Sequence, residues 1–324
     1  QTNLKMNLLL SAVVRRNTSS LHTNKTDWRH LPSSPFFARL KTMNTNLKPK
    51  LQRFATATAF ACPICKEELQ LMENSLKCRH RHSYDLAKFG YVNLAPQIKQ
   101  PKDYDKASFQ NRQLILEAGF YQAILEAVSH LLASSETAKT VLDIGCGEGF
   151  YSRKLQETHP QKTFYAFDIS KDSIQLAAKS DGSFTVNWFV GDLAKLPLQD
   201  ASMDIILDIF SPANYQEFRR VMSDNALLIK VIPTEHHLQE IRQKAARQLS
   251  NKDYSNQEVI QHFQEHFDII SEITVESSQS LTAESRTALL AMTPLLFHVE
   301  QDQIDWTDLT QVTIAATILI GKAK

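Results

Sequence analysis

All four cysteines of the 324-residue chain lie in two short motifs whose side chains could bind a metal or a cofactor. Cys62, Cys65 and Cys78 are followed by His82 in the spacing C-x2-C-x12-C-x3-H. Two pairs of thiolate and imidazole groups at such spacing are the ligands of a closed, structural zinc site. His80 is an alternative fourth ligand, but His82 is favoured because three intervening residues let the chain turn back to the metal. We therefore predict one structural Zn²⁺ per chain.

The alternative is that these cysteines are ordinary buried or free thiols. The segment is too short to form a core of its own, and metal binding can supply on the order of 10 kcal/mol of folding free energy. Zinc is therefore the favoured interpretation. Lys77, Arg79 and Arg81 flank the ligands. They could contact RNA phosphates, or they could form an ordinary solvated basic loop.

The fourth cysteine, Cys146, lies in a glycine-rich turn, Asp-Ile-Gly-Cys-Gly-Glu-Gly (143–149), at the end of a predicted strand. Gly145 and Gly147 let the backbone approach a ligand and adopt positive φ. The G-x-G-x-G spacing differs from the dinucleotide-binding G-x-G-x-x-G. Asp143, just before the glycines, would repel a pyrophosphate, but it suits a cationic group such as the ammonium of a methionine moiety.

Two further acids end the next two predicted strands. Asp168 could bind both ribose hydroxyls of a nucleoside. Asp192, which follows Gly191, could accept a hydrogen bond from an adenine amino group. Each acid alone would more often cap a helix or close a turn. Three acids at three successive strand ends around a glycine turn together predict an S-adenosylmethionine pocket.

The glycine turn belongs to a regular alternation of apolar runs and helical segments. Strands are predicted near 141–144, 163–167, 184–190, 204–209 and 226–232, with helices near 148–158, 171–180 and 213–222. This alternation indicates βαβ units and a parallel, doubly wound α/β sheet. Helices are also expected near 107–118, 120–133 and 234–249, and further strands near 267–276 and 311–321. The predicted fold is a Rossmann-like class I methyltransferase domain with a small N-terminal zinc-binding module.

Charge separates a basic leader from the rest of the chain. Residues 1–61 contain ten Lys or Arg and one acid, Asp27, so their net charge is near +9 and that of the remainder near −8. We expect this polar leader to be disordered. A transit peptide, an RNA-contacting arm or sequence upstream of a start at Met43 are alternatives. A zinc-binding module over 62–104 and the methyltransferase domain over 105–324 are expected to follow.

The bulk composition excludes several classes of protein. The chain is 43% hydrophobic and 22% charged, as is usual for globular proteins. No run approaches the roughly 18 apolar residues of a membrane span. Four clustered cysteines fit a metal site with reduced thiols better than a secreted disulfide scaffold. We therefore expect a cytoplasmic protein with no membrane partner.

Residues 62–324 resemble the bacterial 23S rRNA guanine-N1 methyltransferases. The matching stretches include Cys-Pro-Ile-Cys, Cys-Arg-His-Arg-His, Ala-Lys-Phe-Gly-Tyr-Val-Asn-Leu (87–94), Glu-Ala-Gly-Phe-Tyr (117–121), Ile-Phe-Ser-Pro-Ala-Asn (209–214) and Leu-Leu-Ala-Met-Thr-Pro (289–294). The resemblance implies methylation of one guanine in a domain II hairpin of 23S rRNA, by a homodimer whose zinc modules flank the RNA. The Phe-Ser-Pro form is similar to the Gram-positive branch, some members of which are associated with macrolide resistance.

The resemblance also implies that Tyr121, Gly147, Glu148 and His237 line the cofactor pocket beside the acids, and that the three cysteines and the histidine of the first motif bind zinc. Asp208 departs from the family's pattern, in which a neutral or basic residue stands at this position.

Methylation of guanine N1 requires the loss of its proton, so a base or groups that stabilise the O6 anion must act. Asp208, at a predicted strand end, is the candidate base, and a turn acid facing water is its alternative. Phe210 could stack on an extruded base, or could belong to the core. Methylation of another RNA or of a small molecule, and a non-catalytic RNA-binding role, are the alternative functions.

Overall fold

The structure is a computed structural model that describes residues 48–100, 106–249 and 255–324. Most of the leader, up to residue 47, lies outside the described residues, so its expected disorder stays a prediction. Residues 48–61 correct the predicted boundary, because they are folded. Helix α1 (Pro49–Gln52) is followed by Phe54 and Phe60, which are 1% and 0% exposed. The basic composition of residues 1–61 gave no indication that Phe54 and Phe60 would be buried.

Three short strands form a small antiparallel sheet beside the predicted metal ligands, β1 (Gln70–Met72), β2 (Ser75–Lys77) and β3 (Ser83–Asp85). The next strand, β4 (Tyr91–Asn93), leaves this sheet and pairs in parallel with β7 (Asn187–Val190) at the edge of a larger one. Residues 83–94 of the predicted zinc-binding module are thus divided between two sheets. The module and the domain that follows share structure across the predicted boundary.

The larger sheet has eight strands among the described residues, in the order β10-β11-β9-β8-β5-β6-β7-β4. Its remaining strands are β5 (Thr140–Ile144), β6 (Thr163–Asp168), β8 (Met203–Ile209), β9 (Met222–Pro233), β10 (Phe267–Ser280) and β11 (Gln311–Ala323). Only the pairs made by β11 are antiparallel. The doubly wound sheet predicted from the sequence is therefore confirmed. Strand order reverses between β5 and β8, which places a crevice at their carboxyl ends.

The described α-helices after α1 are α2 (Lys106–Glu117), α3 (Gln122–Ser134), α4 (Phe150–Thr158), α5 (Lys171–Ser180), α6 (Tyr215–Val221), α7 (Gln239–Ala245), α8 (Gln257–His266) and α9 (Ala283–Met292). Two 3₁₀ turns, Pro294–Leu296 and Gln301–Gln303, follow α9. Helix α7 is shorter than the predicted 234–249, because Leu238 has a left-handed φ of 54° that interrupts the helix before Gln239. No helix within these ranges has the length and apolar character needed to cross a membrane.

The two faces of the larger sheet are covered by different parts of the chain. One face, called the helical face below, packs against α2–α5, α7 and α9 and includes Val141, Leu207 and Ile229. The opposite face, called the ribbon face below, packs against the zinc-binding segment, α6 and α8, and includes Leu142, Ile206 and Leu228. Apolar side chains of the zinc-binding segment therefore belong to the core of the sheet.

Phe60 shows how close this packing is. Its ring lies edge-on to Tyr165 of β6 and Phe189 of β7, with centroid distances of 5.2 and 5.3 Å. Burial of one such aromatic side chain contributes about 1.5–3 kcal/mol. The start of the zinc-binding segment is thus held to the sheet by apolar burial.

Candidate functional site

The four predicted zinc ligands converge in the structure. Cys65 Sγ lies 3.7 Å from Cys78 Sγ, and His82 Nδ1 lies 3.4 Å from the sulfur atoms of both Cys62 and Cys78. A tetrahedral zinc ion with ordinary Zn–S and Zn–N bonds would separate such atoms by about 3.5–3.8 Å. The cluster therefore has the size that the ion requires. His80 is exposed and lies outside the cluster, in agreement with the choice of His82.

Two similar backbone turns bring the ligand pairs together. Lys66 N donates to Cys62 O at 2.9 Å, and Arg81 N donates to Cys78 O at 2.9 Å. Lys66 and Arg81 have left-handed φ values of 63° and 66°. This conformation costs a non-glycine residue about 1–2 kcal/mol, which metal coordination can offset. Four protein ligands fill a tetrahedral ion, so the site is structural rather than catalytic.

The basic residues beside the zinc ligands are partly neutralised. Arg79 forms an ion pair with Glu67, and Lys77 Nζ lies 3.9 Å from Glu73 Oε2. Arg81 is exposed. The surface keeps donors for phosphate oxygens, but its net charge is lower than the local sequence indicates.

The glycine turn follows β5 and has positive φ at each glycine: 60° at Gly145, 56° at Gly147 and 78° at Gly149. A Cβ atom on Gly145 would lie 2.2 Å from Ser211 Oγ, and one on Gly149 would lie 2.4 Å from the Trp188 ring. The first and third glycines are therefore required by close packing as well as by conformation. Gly147 leaves its surroundings more open, since the nearest atom to a Cβ there would be 3.7 Å away.

Asp143 is buried beneath α4 and is only 2% exposed. Ser152 Oγ donates to its Oδ2 at 2.6 Å. Burial raises the pKa of Asp143 to about 7, although the Ser152 hydrogen bond lowers it. Asp143 thus fastens the first turns of α4 to the strand end. Direct contact of Asp143 with a ligand ammonium stays a prediction from the sequence.

Asp168 ends β6, and Asp192 follows the end of the neighbouring strand β7 by two residues. Asp168 accepts hydrogen bonds from Gly147 N at 3.0 Å and from Ser170 N at 2.8 Å. Its burial raises its pKa, and those hydrogen bonds oppose the shift. Asp192 accepts from Ala194 N at 2.8 Å within its own turn. Asp168 therefore braces the glycine turn, while contacts of either acid with a nucleoside stay predictions.

Glu148 is 1% exposed and forms an ion pair with Arg112 of α2, with 3.2 Å between Oε2 and Nε. Burial raises the pKa of Glu148, and the Arg112 charge lowers it. Arg112 also lies beside the turn, because its Nε is the atom 3.7 Å from a Cβ on Gly147. No motif in the sequence points to Arg112, since a lone arginine on a helix gives no local signal of a site.

Tyr121 and His237, predicted to line the cofactor pocket, and Phe210, predicted to stack on the target base, lie together at the crevice. The Tyr121 ring lies 6.0 Å from that of Phe210 and 5.9 Å from that of His237, and Phe210 stacks on His237 at 5.5 Å. Ala315 N donates to His237 Nδ1 at 3.2 Å, which assigns the ring proton to Nε2. Burial lowers the pKa of His237 to about 4, so the ring is neutral near pH 7.

A cavity of about 450 Å³ adjoins this group, with Phe210, Ser211, Pro212, Tyr215, Lys230 and His262 in its lining. Ser211 also contacts Gly145, so the cavity adjoins the glycine turn. Phe210 itself has a left-handed φ of 54°. Such strain in a non-glycine residue is common where a side chain is held for binding.

Asp208, the candidate base, does not join this group. It is 0% exposed, and Lys230 Nζ donates to its Oδ2 at 2.7 Å. Asp208 follows Ile206 by two residues, so it lies on the ribbon face, whereas Tyr121 and Phe210 pack in the core of the helical face. Burial raises its pKa to about 6, and Lys230 opposes the shift. Lys230 Nζ also donates to Ser211 O at 3.3 Å and lines the cavity. Asp208 is therefore a buried ion-pair partner behind the cavity wall, and its role as base stays a prediction.

A sulfonium nucleoside fits the remaining residues. The glycine turn is flanked by carboxylates for cationic and hydroxyl groups, and the imidazole near it is neutral. Tyr151 Oη, close to Glu148, is buried and makes no hydrogen bond with the described part of the chain. A buried polar atom of this kind requires a partner, which a bound ligand or water would provide.

Comparisons with known proteins agree with this geometry. A methyltransferase-domain model matches residues 141–231, and a model described as RlmA, N-terminal, a zinc ribbon, matches residues 60–102. A Bacillus subtilis protein named for 23S rRNA (guanine-N1)-methyltransferase activity is 31% identical, over 84% of this chain and 99% of its own. A Streptomyces fradiae 23S rRNA (guanine(748)-N1)-methyltransferase is 24% identical, over 80% and 95%.

Among solved structures, an Aquifex aeolicus SAM-dependent methyltransferase has a TM-score of 0.42 at 17% identity, and the match covers 66% of this chain and 98% of that one. The length and identity of the Bacillus subtilis match, together with the zinc ribbon, establish the relationship. The chain belongs to the family of 23S rRNA (guanine-N1)-methyltransferases.

Proposed function

We propose that the protein transfers a methyl group from S-adenosylmethionine to N1 of one guanine in a domain II hairpin of 23S rRNA. The observation that carries the proposal is the presence, in one folded unit, of a Cys₃His cluster and a strand-end glycine turn flanked by carboxylates. The relatives named for this activity match both parts of the chain. A methyltransferase domain alone would leave the substrate open.

The cofactor supplies a methyl group activated by a sulfonium charge. Side chains and backbone groups around the glycine turn would surround this cofactor. They are the side chains of Tyr121, Glu148 and His237, the backbone of Gly145 and Gly147, and the acids Asp143, Asp168 and Asp192. His237 is suited to this place because it is neutral near pH 7, with a pKa of about 4 caused by burial. A protonated imidazole would repel the sulfonium, so a His237 ring that stays neutral favours binding of the cofactor.

The target guanine would enter the cavity beside Phe210. Guanine N1 is inaccessible in a stacked base pair, so the base must be extruded and then held by stacking. Phe210 borders both the cavity and the Tyr121–His237 group. Positioning of N1 in line with the methyl group would then supply much of the rate enhancement.

The zinc ribbon would bind the RNA through exposed Arg79 and Arg81, whose donors suit phosphate oxygens. We propose further that two chains form a homodimer whose ribbons flank one hairpin, and that the enzyme acts in the cytoplasm, where it could alter macrolide susceptibility. Analytical ultracentrifugation of the protein with and without RNA would test the dimer. A monomer in both samples would exclude it.

The central test is methylation of a 23S rRNA domain II transcript with labelled S-adenosylmethionine. Primer extension should stop at one guanine, and mass spectrometry of the nucleosides should identify N1-methylguanosine. A transcript with that guanine changed to adenine is the control. Transfer only to other RNAs or to small molecules would support the alternative methyltransferases, while RNA binding without cofactor binding would support a non-catalytic protein.

A further inference from the structure

The charges around the glycine turn leave one group of the cofactor without a counterpart. Asp143, Glu148 and Asp168 are all acids and can complement the ammonium, sulfonium and ribose hydroxyls. The methionine moiety also carries an α-carboxylate, which these acids would repel. Charges interact strongly at short distance in a protein interior. A cation close to the turn is therefore needed to bind that carboxylate.

Arg112 is a cation in the required place. Its Nε lies 3.2 Å from Glu148 Oε2 and 3.7 Å from the position of a Cβ on Gly147. Its side chain is 30% exposed, so one side of the guanidinium meets the buried acid while the group still reaches the crevice. The planar guanidinium has parallel N–H donors that match the two oxygens of a carboxylate.

Glu148 accounts for the position of Arg112. A carboxylate that is 1% exposed is stable only when it is paired, and Arg112 provides that charge. In return, the ion pair restricts the rotamers of a long side chain, which lowers the entropy cost of binding a ligand. Two other cations near the turn, Arg153 and Lys154, instead pair with Glu117 at 2.7 and 3.3 Å.

We propose that Arg112 binds the α-carboxylate of S-adenosylmethionine and that Glu148 is its positioning residue. This inference rests on the proposed function, because it assumes that the cofactor occupies the glycine turn. It extends the cofactor site to helix α2, which the sequence motifs do not include.

Two ligands that differ in the amino-acid moiety provide the test. S-adenosylhomocysteine has the carboxylate, whereas 5′-methylthioadenosine lacks the whole amino-acid group. Calorimetry, with competition for the weaker ligand, would give the affinity of each for the wild type and for Arg112→Gln. We expect Arg112→Gln to weaken S-adenosylhomocysteine by about 10- to 100-fold, as for loss of a charge-assisted hydrogen bond. Binding of 5′-methylthioadenosine should change by less than about twofold, since Arg112 does not contact the nucleoside in this proposal.

The matched control is Lys154→Gln, which removes the same charge nearby and should leave both affinities unchanged. Equal weakening of the two ligands by Arg112→Gln, or no weakening of either, would overturn the role of Arg112. If the wild type binds neither ligand, the proposed function itself fails.

Thermal unfolding would show whether Arg112→Gln is folded. If it is not, Arg112→Lys keeps the charge beside Glu148 but loses the two-pronged geometry. This variant should still lower the preference for S-adenosylhomocysteine over 5′-methylthioadenosine by several-fold. An unchanged preference would reject the proposal. Glu148→Gln should lower the same preference by a smaller factor.

Discussion

Asp143 and Asp208 lie near the ends of the neighbouring strands β5 and β8, yet they serve different faces of the sheet. Both are at most 2% exposed. Asp143, on the helical face, accepts a hydrogen bond from the Ser152 hydroxyl beside the glycine turn. Asp208, on the ribbon face, is paired with the ammonium of Lys230. The two acids look alike in the sequence, yet Asp143 lies beside the glycine turn and Asp208 lies in the core.

The difference shows that the two acids have separate tasks, one beside the glycine turn and one in the core behind the cavity that Lys230 lines. The helical face holds the glycine turn and the group of Tyr121, Phe210 and His237. The ribbon face buries apolar side chains of the zinc-binding segment, such as Phe60 and Leu69, in one cluster with the strands. Changes to ribbon-face residues outside the cavity lining should therefore alter stability first, and changes beside the glycine turn should alter ligand binding first.

Loss of the metal should produce the largest effect. Cys65→Ser removes a zinc ligand, and a structural zinc supplies on the order of 10 kcal/mol of folding free energy. Because the ribbon and the sheet share a core, we expect loss of zinc and a large fall in the melting temperature of the whole described unit. Elemental analysis and calorimetric unfolding would measure both.

Cys146→Ala is the control for that experiment, since this buried cysteine lies outside the metal cluster. The variant should keep one zinc per chain. If Cys65→Ser instead melts in two steps, with the upper transition at the wild-type temperature, the ribbon and the sheet are energetically independent.

The buried ion pair gives the next largest effect. Asp208→Ala should lower the free energy of unfolding by about 3–5 kcal/mol, because it leaves the buried Lys230 ammonium without its partner. The double variant Asp208→Leu with Lys230→Met should recover most of that loss, since apolar replacement of both partners removes the unpaired charge. Urea unfolding would measure the two changes.

Asp208→Asn decides whether Asp208 has a chemical role, because it leaves Lys230 in the lining of the cavity and keeps an acceptor for the Lys230 ammonium. If Asp208 is only structural, this variant should keep single-turnover methylation within about threefold of the wild type. If Asp208 is the base, its loss should lower turnover by about 100-fold while cofactor binding is retained. A stable, cofactor-binding Asp208→Asn variant that is slowed to this extent would establish Asp208 as the base.

Much of the fold, the zinc cluster and the position of the glycine turn could be read from the sequence because their signals are local. The zinc ligands follow a short spacing, and the glycine turn ends an apolar run. The face on which Asp208 lies could not be read. Strand β8 is buried on both sides, so its apolar residues show no alternation that would separate the faces. Arg112 and Ser211 were missed because they reach the turn through tertiary packing alone.

The predicted boundary at residue 61 was wrong for a related reason. Composition assigned the segment to a basic leader, but Phe54 and Phe60 are buried against the sheet. Likewise β4 joins the larger sheet by parallel pairing with a strand about 100 residues away. Pairing at such a distance leaves no local pattern, so charge averages over long windows cannot locate the boundary.

His237 should give the helical face a characteristic dependence on pH. Burial lowers its folded-state pKa to about 4 from an ordinary 6.5. Between these values the unfolded chain takes up a proton that the folded chain does not, so stability is lost as pH falls from 6.5 to 4. The contribution is at most about 3 kcal/mol. His237→Asn keeps an acceptor for Ala315 N but should remove this dependence.

The comparison must be made between wild type and variant, because Asp143 acts in the opposite direction. Its folded-state pKa is raised to about 7 from 3.8, so its protonation stabilises the folded chain as pH falls. The difference between the two unfolding curves isolates His237. A difference that stays constant from pH 7 to pH 4 would contradict a suppressed pKa.

Gly145 should give the smallest effect on stability, and it tests where the cofactor turn meets the cavity. Gly145→Ala must adopt a left-handed φ of 60° and place its Cβ 2.2 Å from Ser211 Oγ. The conformation alone costs about 1–2 kcal/mol, and the displaced Ser211 should also weaken S-adenosylhomocysteine binding. Gly182→Ala, where a Cβ meets no atom within 4 Å, should change neither property.

Adding Ser211→Gly to Gly145→Ala removes the clash but keeps the φ penalty. Recovered ligand affinity without recovered stability would locate the coupling in that contact, and recovery of both or of neither would exclude it.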